Sequence, residues 1–160
     1  MATPLDVITL DDAKDYLKVD FPDEDALITQ FIKSCVAMVE NATQQRLYRR
    51  EEVVFMSGWK AIFYPYPLIT IDEVKNQEGV VQDSGNYSVY DGVVKLPSCG
   101  QWQVKATVGY DSGLVPQPLI DAALLCLHYK YNNRGLADKA IVEAQDVIDH
   151  IAPYKEFTWF

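Results

Sequence analysis

Histidine, cysteine and positive charge are scarce in this sequence, and each shortage argues against a class of function. There are two histidines and three cysteines in 160 residues, and no two cysteines form a CxxC pair. A disulfide framework and a zinc site of the usual spacing are therefore disfavoured. Lysine and arginine total 14 against 23 aspartates and glutamates, which gives a formal net charge of −9. That balance opposes tight electrostatic binding to nucleic acid or to an anionic membrane.

Long apolar runs and the common catalytic motifs are also missing. The longest apolar run, residues 122–127, is far shorter than the roughly 20 residues that span a bilayer. Residues 1–6 lack the pattern of a secretion signal, so we expect a cytosolic chain with no membrane partner. HExxH, GxxxxGK[ST], GxGxxG and GxSxG do not occur. The acidic run from Asp20 has Asp25 and Phe31 where a calcium loop needs glycine and glutamate. We therefore predict no metal, no cofactor and no catalytic residue.

The three thiols leave one enzymatic alternative open. Cys35 and Cys126 lie within apolar helical patterns, which is typical of buried thiols that pack as small hydrophobic side chains. Residues 98–102, around Cys99, are faintly similar to the sequence near a papain-type nucleophile, and only His128 and His150 follow to act as a base. A small cytosolic thiol-dependent enzyme is thus one alternative. A regulatory module whose β-rich middle binds a peptide or protein is another.

Apolar residues at three- and four-residue steps predict helices at both ends of the chain. Thr9 followed by Asp12 is typical of a helix start, and Pro116 and Pro118 open another helix. On the long second helix, Glu40 is expected on the face that meets water. The helices are predicted over residues 9–19, 22–45, 116–134 and 138–153.

The middle of the chain predicts short strands instead. Asp91-Gly92 between two apolar segments is a strong hairpin signal, because glycine accepts the positive φ of a type I′ turn. Strict alternation over residues 101–110 predicts a strand with one buried face, and Gly58 marks a turn between two apolar runs. We therefore predict one α+β domain over residues 1–160, with its terminal helices packed together around a hairpin-containing β-rich middle. The strands are predicted over residues 53–56, 61–64, 68–72, 87–90, 93–96 and 101–110.

Several segments, in order along the chain, resemble the head-tail connector, or adaptor, proteins of tailed double-stranded DNA bacteriophages. The first is ITLDDAKDYLKVD at residues 8–20, and YPLITI at residues 66–71 is another. No single motif among them is catalytic, but together they cover most of the sequence. The other similar segments are residues 25–28, 39–47, 108–110, 115–116, 122–134 and 147–154.

The resemblance implies a structural protein of the virion neck. Such a protein would form a ring, dodecameric by this resemblance, that docks beneath the portal protein and offers a surface to a neck stopper or tail protein. Double-stranded DNA would pass through the ring without specific binding. The implied location is the head-tail junction of the virion, with the host cytoplasm as the place of assembly. An acidic ring suits this role, because lysine and arginine contacts to phosphate are what hold a duplex tightly.

Residues 154–160 form a candidate docking tail for the portal. Four of these seven residues are aromatic, the type enriched at interface hot spots. The alternative is that they fold back onto the core of their own subunit. The candidate contact residues are Tyr154, Phe157, Trp159 and Phe160.

Two turns are weaker candidates for contact with a neighbouring subunit or the next neck protein. One is the turn that carries Trp59, whose side chain would serve either as a core plug or as an anchor that faces another protein. The other is the hairpin tip formed by Asp91 and Gly92.

Overall fold

The computed structural model describes residues 2–58, 60–62, 67–90 and 92–134, together with Val147, Ile151 and Tyr154; for residues 60–62 it describes the backbone alone. These residues group into two compact units. One is the strand unit, Arg49–Gly109, and the other is the helical unit, Ala2–Tyr48 with the residues from Tyr110 onward. The predicted α+β class is confirmed. The assignment of residues 1–160 to a single domain stays a prediction, and most of the predicted fourth helix lies outside the described residues.

The helical unit contains α1 (Leu10–Leu17), α2 (Asp25–Thr43) and α3 (Gln117–Asn132). The predicted cap of α1 is present, because the Asp12 amide donates to Thr9 Oγ1 at 3.1 Å. This bond satisfies one of the amides that a helix start leaves without a partner. Lys18, at a φ of +61°, ends α1 in the left-handed region.

Residues from both ends of the chain share the core of the helical unit, as predicted. α3 contributes Leu119, Ala122, Ala123, Cys126 and Leu127 to this core. None of the helices in the described ranges has the length and apolar character needed to cross a membrane. The buried residues of this core are Ile8, Ala13, Val19, Ile28, Ile32, Cys35, Val36, Val39, Leu47, Leu119, Ala122, Ala123, Cys126, Leu127, Val147 and Ile151.

Glu40 corrects the sequence prediction for α2. Periodicity placed it on the wet face, but it is only 6% exposed. Its carboxylate oxygen Oε1 accepts the Leu47 amide at 2.9 Å. Because a buried carboxylate is costly unless it is hydrogen-bonded, this bond to the chain just after α2 explains why the charge is tolerated there.

Within its described residues, the strand unit holds six strands in two antiparallel sheets. The first sheet has the order β1-β6-β3 and the second has the order β2-β5-β4. A strand lies on each side of Gly58, as predicted, but the two strands belong to different sheets, and residues 63–64 of the second predicted strand lie outside the described residues. The strands are β1 (Arg50–Ser57), β2 (Lys60–Ile62), β3 (Leu68–Asn76), β4 (Ser88–Tyr90), β5 (Val93–Lys95) and β6 (Gln101–Val108).

Two strand predictions are confirmed in detail. Tyr90 pairs with Val93 across the predicted hairpin. β6 alternates as expected, with Trp102, Val104, Ala106 and Val108 buried. These four residues share one hydrophobic cluster with Val94 of β5 and with Leu96, the residue that follows β5. The two sheets therefore bury a common core. β6 is the central strand of its sheet, which leaves β1 and β3 as the two edges.

Candidate assembly surfaces

The start of the predicted docking tail is held by one buried side chain. Gln45, only 4% exposed, donates from Nε2 to the backbone carbonyl of Tyr154 at 2.7 Å. Its Oε1 accepts the hydroxyl of Tyr110 at 2.9 Å. Both the nitrogen and the oxygen of the Gln45 side-chain amide are thus hydrogen-bonded to residues far along the chain. Gln45 therefore fixes the point from which residues 155–160 continue.

The end of α2 positions Gln45 for this role. The Thr43 hydroxyl donates to the Val39 carbonyl at 2.8 Å and accepts the Gln45 amide at 3.3 Å. Gln44 adopts a φ of +60°, which ends the helix in the left-handed region. These contacts therefore fix the backbone around Gln45, whose side-chain amide bonds Tyr154.

The other tail residues, Phe157, Trp159 and Phe160, lie outside the described residues. Tyr154 itself is half-buried and packs against the core cluster of the helical unit. The tail thus begins against its own subunit. Whether the remaining aromatic residues contact the portal stays a prediction.

Of the residues in the two candidate turns, Trp59 and Asp91 lie outside the described residues, so Gly92 alone of the three can be placed. Gly92 adopts a φ of +72°, as the predicted turn requires. Beside it, Tyr90 is 84% exposed and Val89 is also exposed. Their role in subunit contact stays a prediction.

Replacing Gly92 with alanine should lower the free energy of unfolding by about 1–2 kcal/mol, because a Cβ is disfavoured at this φ. No atom lies within 4 Å of the added Cβ, so the cost is conformational and not a clash. Gly85 is a matched control: its Cβ would also meet nothing within 4 Å, and its φ is not positive. Urea unfolding of both variants measures the difference. Equal losses would contradict the turn assignment.

Sequence reasoning missed one exposed aromatic residue. Phe55 lies on β1 and is 77% exposed, with Val53 exposed on the same face. The four consecutive apolar residues at 53–56 concealed the alternation, because a run of that kind is typical of a strand buried on both faces. The structure resolves the alternation, because Val54 and Met56 pack on the core while Val53 and Phe55 face outward.

A charged cluster joins the start of α2 to the end of α3. The Tyr131 hydroxyl donates to Glu24 Oε2, and Arg134 Nη1 donates to Glu24 Oε1 at 2.5 Å. The Arg134 guanidinium also lies 4.1 Å from the centre of the Tyr131 ring, in a cation–π contact. The hydrogen bond from Tyr131 and then the one from Arg134 hold the pKa of Glu24 below its ordinary value of 4.5.

This cluster predicts an acid-dependent contribution to stability. Because the pKa of Glu24 is lower in the folded chain, its contribution is fully present above the ordinary pKa of 4.5 and is lost as pH falls through the folded value. Glu24→Gln should therefore destabilise the protein most above pH 4.5, and the gap to the wild type should narrow in more acidic solution. Asp23→Asn removes the same charge from a neighbouring exposed residue and serves as the control. Thermal unfolding as a function of pH measures both, and a gap that stays constant with pH would contradict this account.

The thiols offer little for catalysis in the described part of the chain. Cys35 and Cys126 are buried, as predicted, and hydrogen bonding to Cys126 together with burial raises the pKa of Cys35. Cys99 is exposed in the strand unit, where the sequence contains no histidine. Within the described ranges no group of histidine, cysteine and carboxylate side chains is arranged to hold a metal ion.

Chains of similar fold occur in solved structures of gene transfer agent particles. One similar chain comes from the neck of an empty gene transfer agent (GTA) particle, computed with C6 symmetry: 16% identical, TM-score 0.78, covering 100% of this chain and 95% of that chain. Another comes from the virion of a native GTA particle, 14% identical with a TM-score of 0.74, covering 100% and 95%. A third comes from the neck of a native GTA particle computed with C12 symmetry, 12% identical with a TM-score of 0.73, covering 100% and 94%. No curated protein matches the chain.

The fold is therefore the fold of chains from phage-like particles, two of them taken from the neck. Residues 7–64 match the family model of the phage gp6-like head-tail connector proteins. The match to this family, predicted from the sequence alone, is thus confirmed over those residues.

Proposed function

We propose that this protein is a structural virion protein that forms a ring beneath the portal, joins the phage head to the tail, and lets DNA pass through its lumen. The observation that carries the proposal is the match of residues 7–64 to the head-tail connector model. The fold supports it, because it is similar to that of a GTA neck chain at a TM-score of 0.78.

The ring is supported by the symmetry of the particles that contain similar chains. Those necks were computed with C6 and with C12 symmetry. A C12 arrangement agrees with the dodecamer that the sequence resemblance implies. The proposed location is the neck of the virion, between the portal above and a stopper or tail protein below. Assembly takes place in the host cytoplasm.

The acidic charge suits the passage of DNA, and it is concentrated in one part of the chain. Residues 6–25 carry eight acidic and two basic side chains. Asp11, Asp12 and Asp15, on or beside the first turns of α1, are all exposed. Because tight, sequence-independent binding to a duplex needs lysine or arginine on its phosphates, a surface of this kind would not hold DNA as it slides. The acidic side chains thus fit a lumen through which the genome passes without specific binding.

The portal contact is assigned to residues 154–160. Gln45 holds Tyr154 at the surface of the helical core, so the residues that follow start from a defined point. Phe157, Trp159 and Phe160 supply the aromatic side chains that dominate binding energy at protein interfaces.

The role proposed here is not enzymatic. The thiol-enzyme alternative needs Cys99 to have a base, and the strand unit that contains Cys99 contains no histidine. Replacing Cys99 with serine should therefore leave binding to the portal unchanged. A regulatory module would instead bind a peptide through its β-rich middle. That binding to the peptide would not depend on the presence of a portal.

Sedimentation with the purified portal protein of the same phage tests the proposal. The chain should co-sediment with portal rings at a fixed ratio and should sediment alone as a smaller species. Portal rings from an unrelated phage control for non-specific adhesion. Absence of co-sedimentation with the cognate portal would overturn the proposed function.

A further inference from the structure

Three sulfur atoms meet where α2 packs on α3. Cys35 and Met38 are three residues apart on α2 and so share one face of that helix. Cys126 of α3 lies against both of them: its thiol is hydrogen-bonded to the Cys35 thiol, and its Sγ lies 4.0 Å from Met38 Sδ. Both thiols are buried. Cys35, Met38 and Cys126 together are called the sulfur cluster.

The spacing of these sulfurs matches that of a three-coordinate metal site. A thiolate sulfur lies about 2.3 Å from a bound metal ion such as zinc, and three sulfurs spaced evenly around one ion at that distance lie about 4.0 Å from one another. The Met38 and Cys126 sulfurs already have this separation. The hydrogen bond holds the third sulfur, that of Cys35, beside Cys126.

The two thiols share their protons unequally, which favours the binding of a cation. The hydrogen bond from Cys35 lowers the pKa of Cys126 against the opposing effect of burial, and the charge of Lys130 lowers it further. The thiolate is the form of cysteine that binds a metal. A monovalent ion that replaces both thiol protons, which pass to solvent, leaves one net negative charge. The ammonium group of Lys130, one turn along α3, offsets that charge.

The sulfur cluster lies close to the surface of the helical unit. Met38 is half-buried, and a methionine side chain changes rotamer easily because it is unbranched. Ser34, which adjoins Cys35, is exposed and accepts a hydrogen bond from Lys130 Nζ. Movement of the Met38 side chain would therefore be enough to admit a small ion to the thiols.

We infer that the sulfur cluster binds one copper(I) ion through the thiolates of Cys35 and Cys126 and the thioether of Met38. Thiolate and thioether sulfurs are ligands that copper(I) prefers. Zinc completes its structural sites with four ligands, and within the described residues no histidine or carboxylate completes this set. The motifs that argue against zinc and calcium sites in the sequence contain no methionine, so they do not bear on these ligands.

Titration of the full chain with copper(I) tests the inference. The titration uses the Cys99→Ser chain, because Cys99 is an exposed thiol that would compete for the ion. Copper(I) is supplied without oxygen and is buffered by a competing copper(I) chelator, and native mass spectrometry counts the ions retained. One ion should be retained by each chain, and thermal unfolding should move to higher temperature as copper(I) is added. A folded chain that retains no ion would overturn the inference.

Substitutions identify the ligands. Cys126→Ala should weaken copper(I) binding by about 100-fold or more, since loss of a residue that only orients a ligand already costs about 10–100-fold. Met38→Leu nearly keeps the side-chain volume, so it should fold even if the cysteine variant does not, and it should weaken binding by about 10-fold. Met56→Leu makes the same replacement in the strand unit and is the matched control. Equal affinity of the Met38→Leu and Met56→Leu chains, or retention of zinc in preference to copper(I), would overturn the inference.

These measurements use the isolated subunit, so the inference goes beyond the proposed function and does not depend on it. A chain that binds copper(I) but never the portal would contradict the proposed function alone. A chain that binds the portal but no copper(I) would contradict this inference alone.

Discussion

Removing residues 155–160 should weaken binding to the portal by about 30-fold or more while the fold stays intact, because interface aromatic residues each contribute about 2 kcal/mol or more when they are hot spots. The cut falls after Tyr154 for a structural reason. Gln45 binds the Tyr154 carbonyl, and Tyr154 packs on the helical core, so a shorter chain would also damage the subunit. Titration of truncated and full-length protein against portal rings measures the change.

Two triple variants separate aromatic contact from mere length. Phe157→Ala, Trp159→Ala and Phe160→Ala together should reproduce most of the loss. Lys155→Ala, Glu156→Ala and Thr158→Ala together keep the length and the aromatic residues, and should bind nearly as the wild type does. Unchanged portal affinity in a folded, truncated protein would mean that the tail serves its own subunit instead.

Replacing Gln45 with leucine should lower the free energy of unfolding by about 1–3 kcal/mol, because it removes two part-buried hydrogen bonds that each contribute roughly 0.5–1.5 kcal/mol. Leucine nearly keeps the volume of the side chain but can bond neither the Tyr154 carbonyl nor the Tyr110 hydroxyl. The start of the tail would lose its anchor as well. The same variant should therefore weaken portal binding even at temperatures where it is folded.

Two controls isolate this effect. Tyr110→Phe removes one of the two hydrogen bonds and leaves the bond to Tyr154 in place, so it should cost part of the stability and none of the portal affinity. Gln30→Leu makes the same replacement at an exposed position of α2 and should change stability by at most about 0.5 kcal/mol. Denaturant unfolding compares the three variants. A loss no greater for Gln45→Leu than for Gln30→Leu would contradict the anchoring role.

Local features of the fold could be predicted because their causes lie close together in the sequence. Thr9 and Asp12 are three residues apart, and their hydrogen bond forms as expected. In the β4–β5 turn, residue 92 has a positive φ, which glycine accepts. Alternation along β6 follows from the pleat of a strand and needs no partner to be recognised.

Other features depend on contacts that sequence pattern does not contain. The amide of Gln45 meets Tyr154 across 109 positions of sequence, and no local period indicates such a pair. Glu40 is buried because the chain turns after α2 and brings the Leu47 amide to it, which overrides the helical period. Phe55 is exposed because it lies on the face of the sheet opposite the core, and which face of a strand meets the core is set by long-range packing.

Electron microscopy can show whether this chain is a ring subunit that sits on the portal. The protein is mixed with portal rings of its own phage and imaged without imposed symmetry. We expect a second ring stacked coaxially on the portal, with an open lumen and one copy of this chain repeated around it. Portal rings that remain bare at saturating protein would show that the chain is not such a subunit.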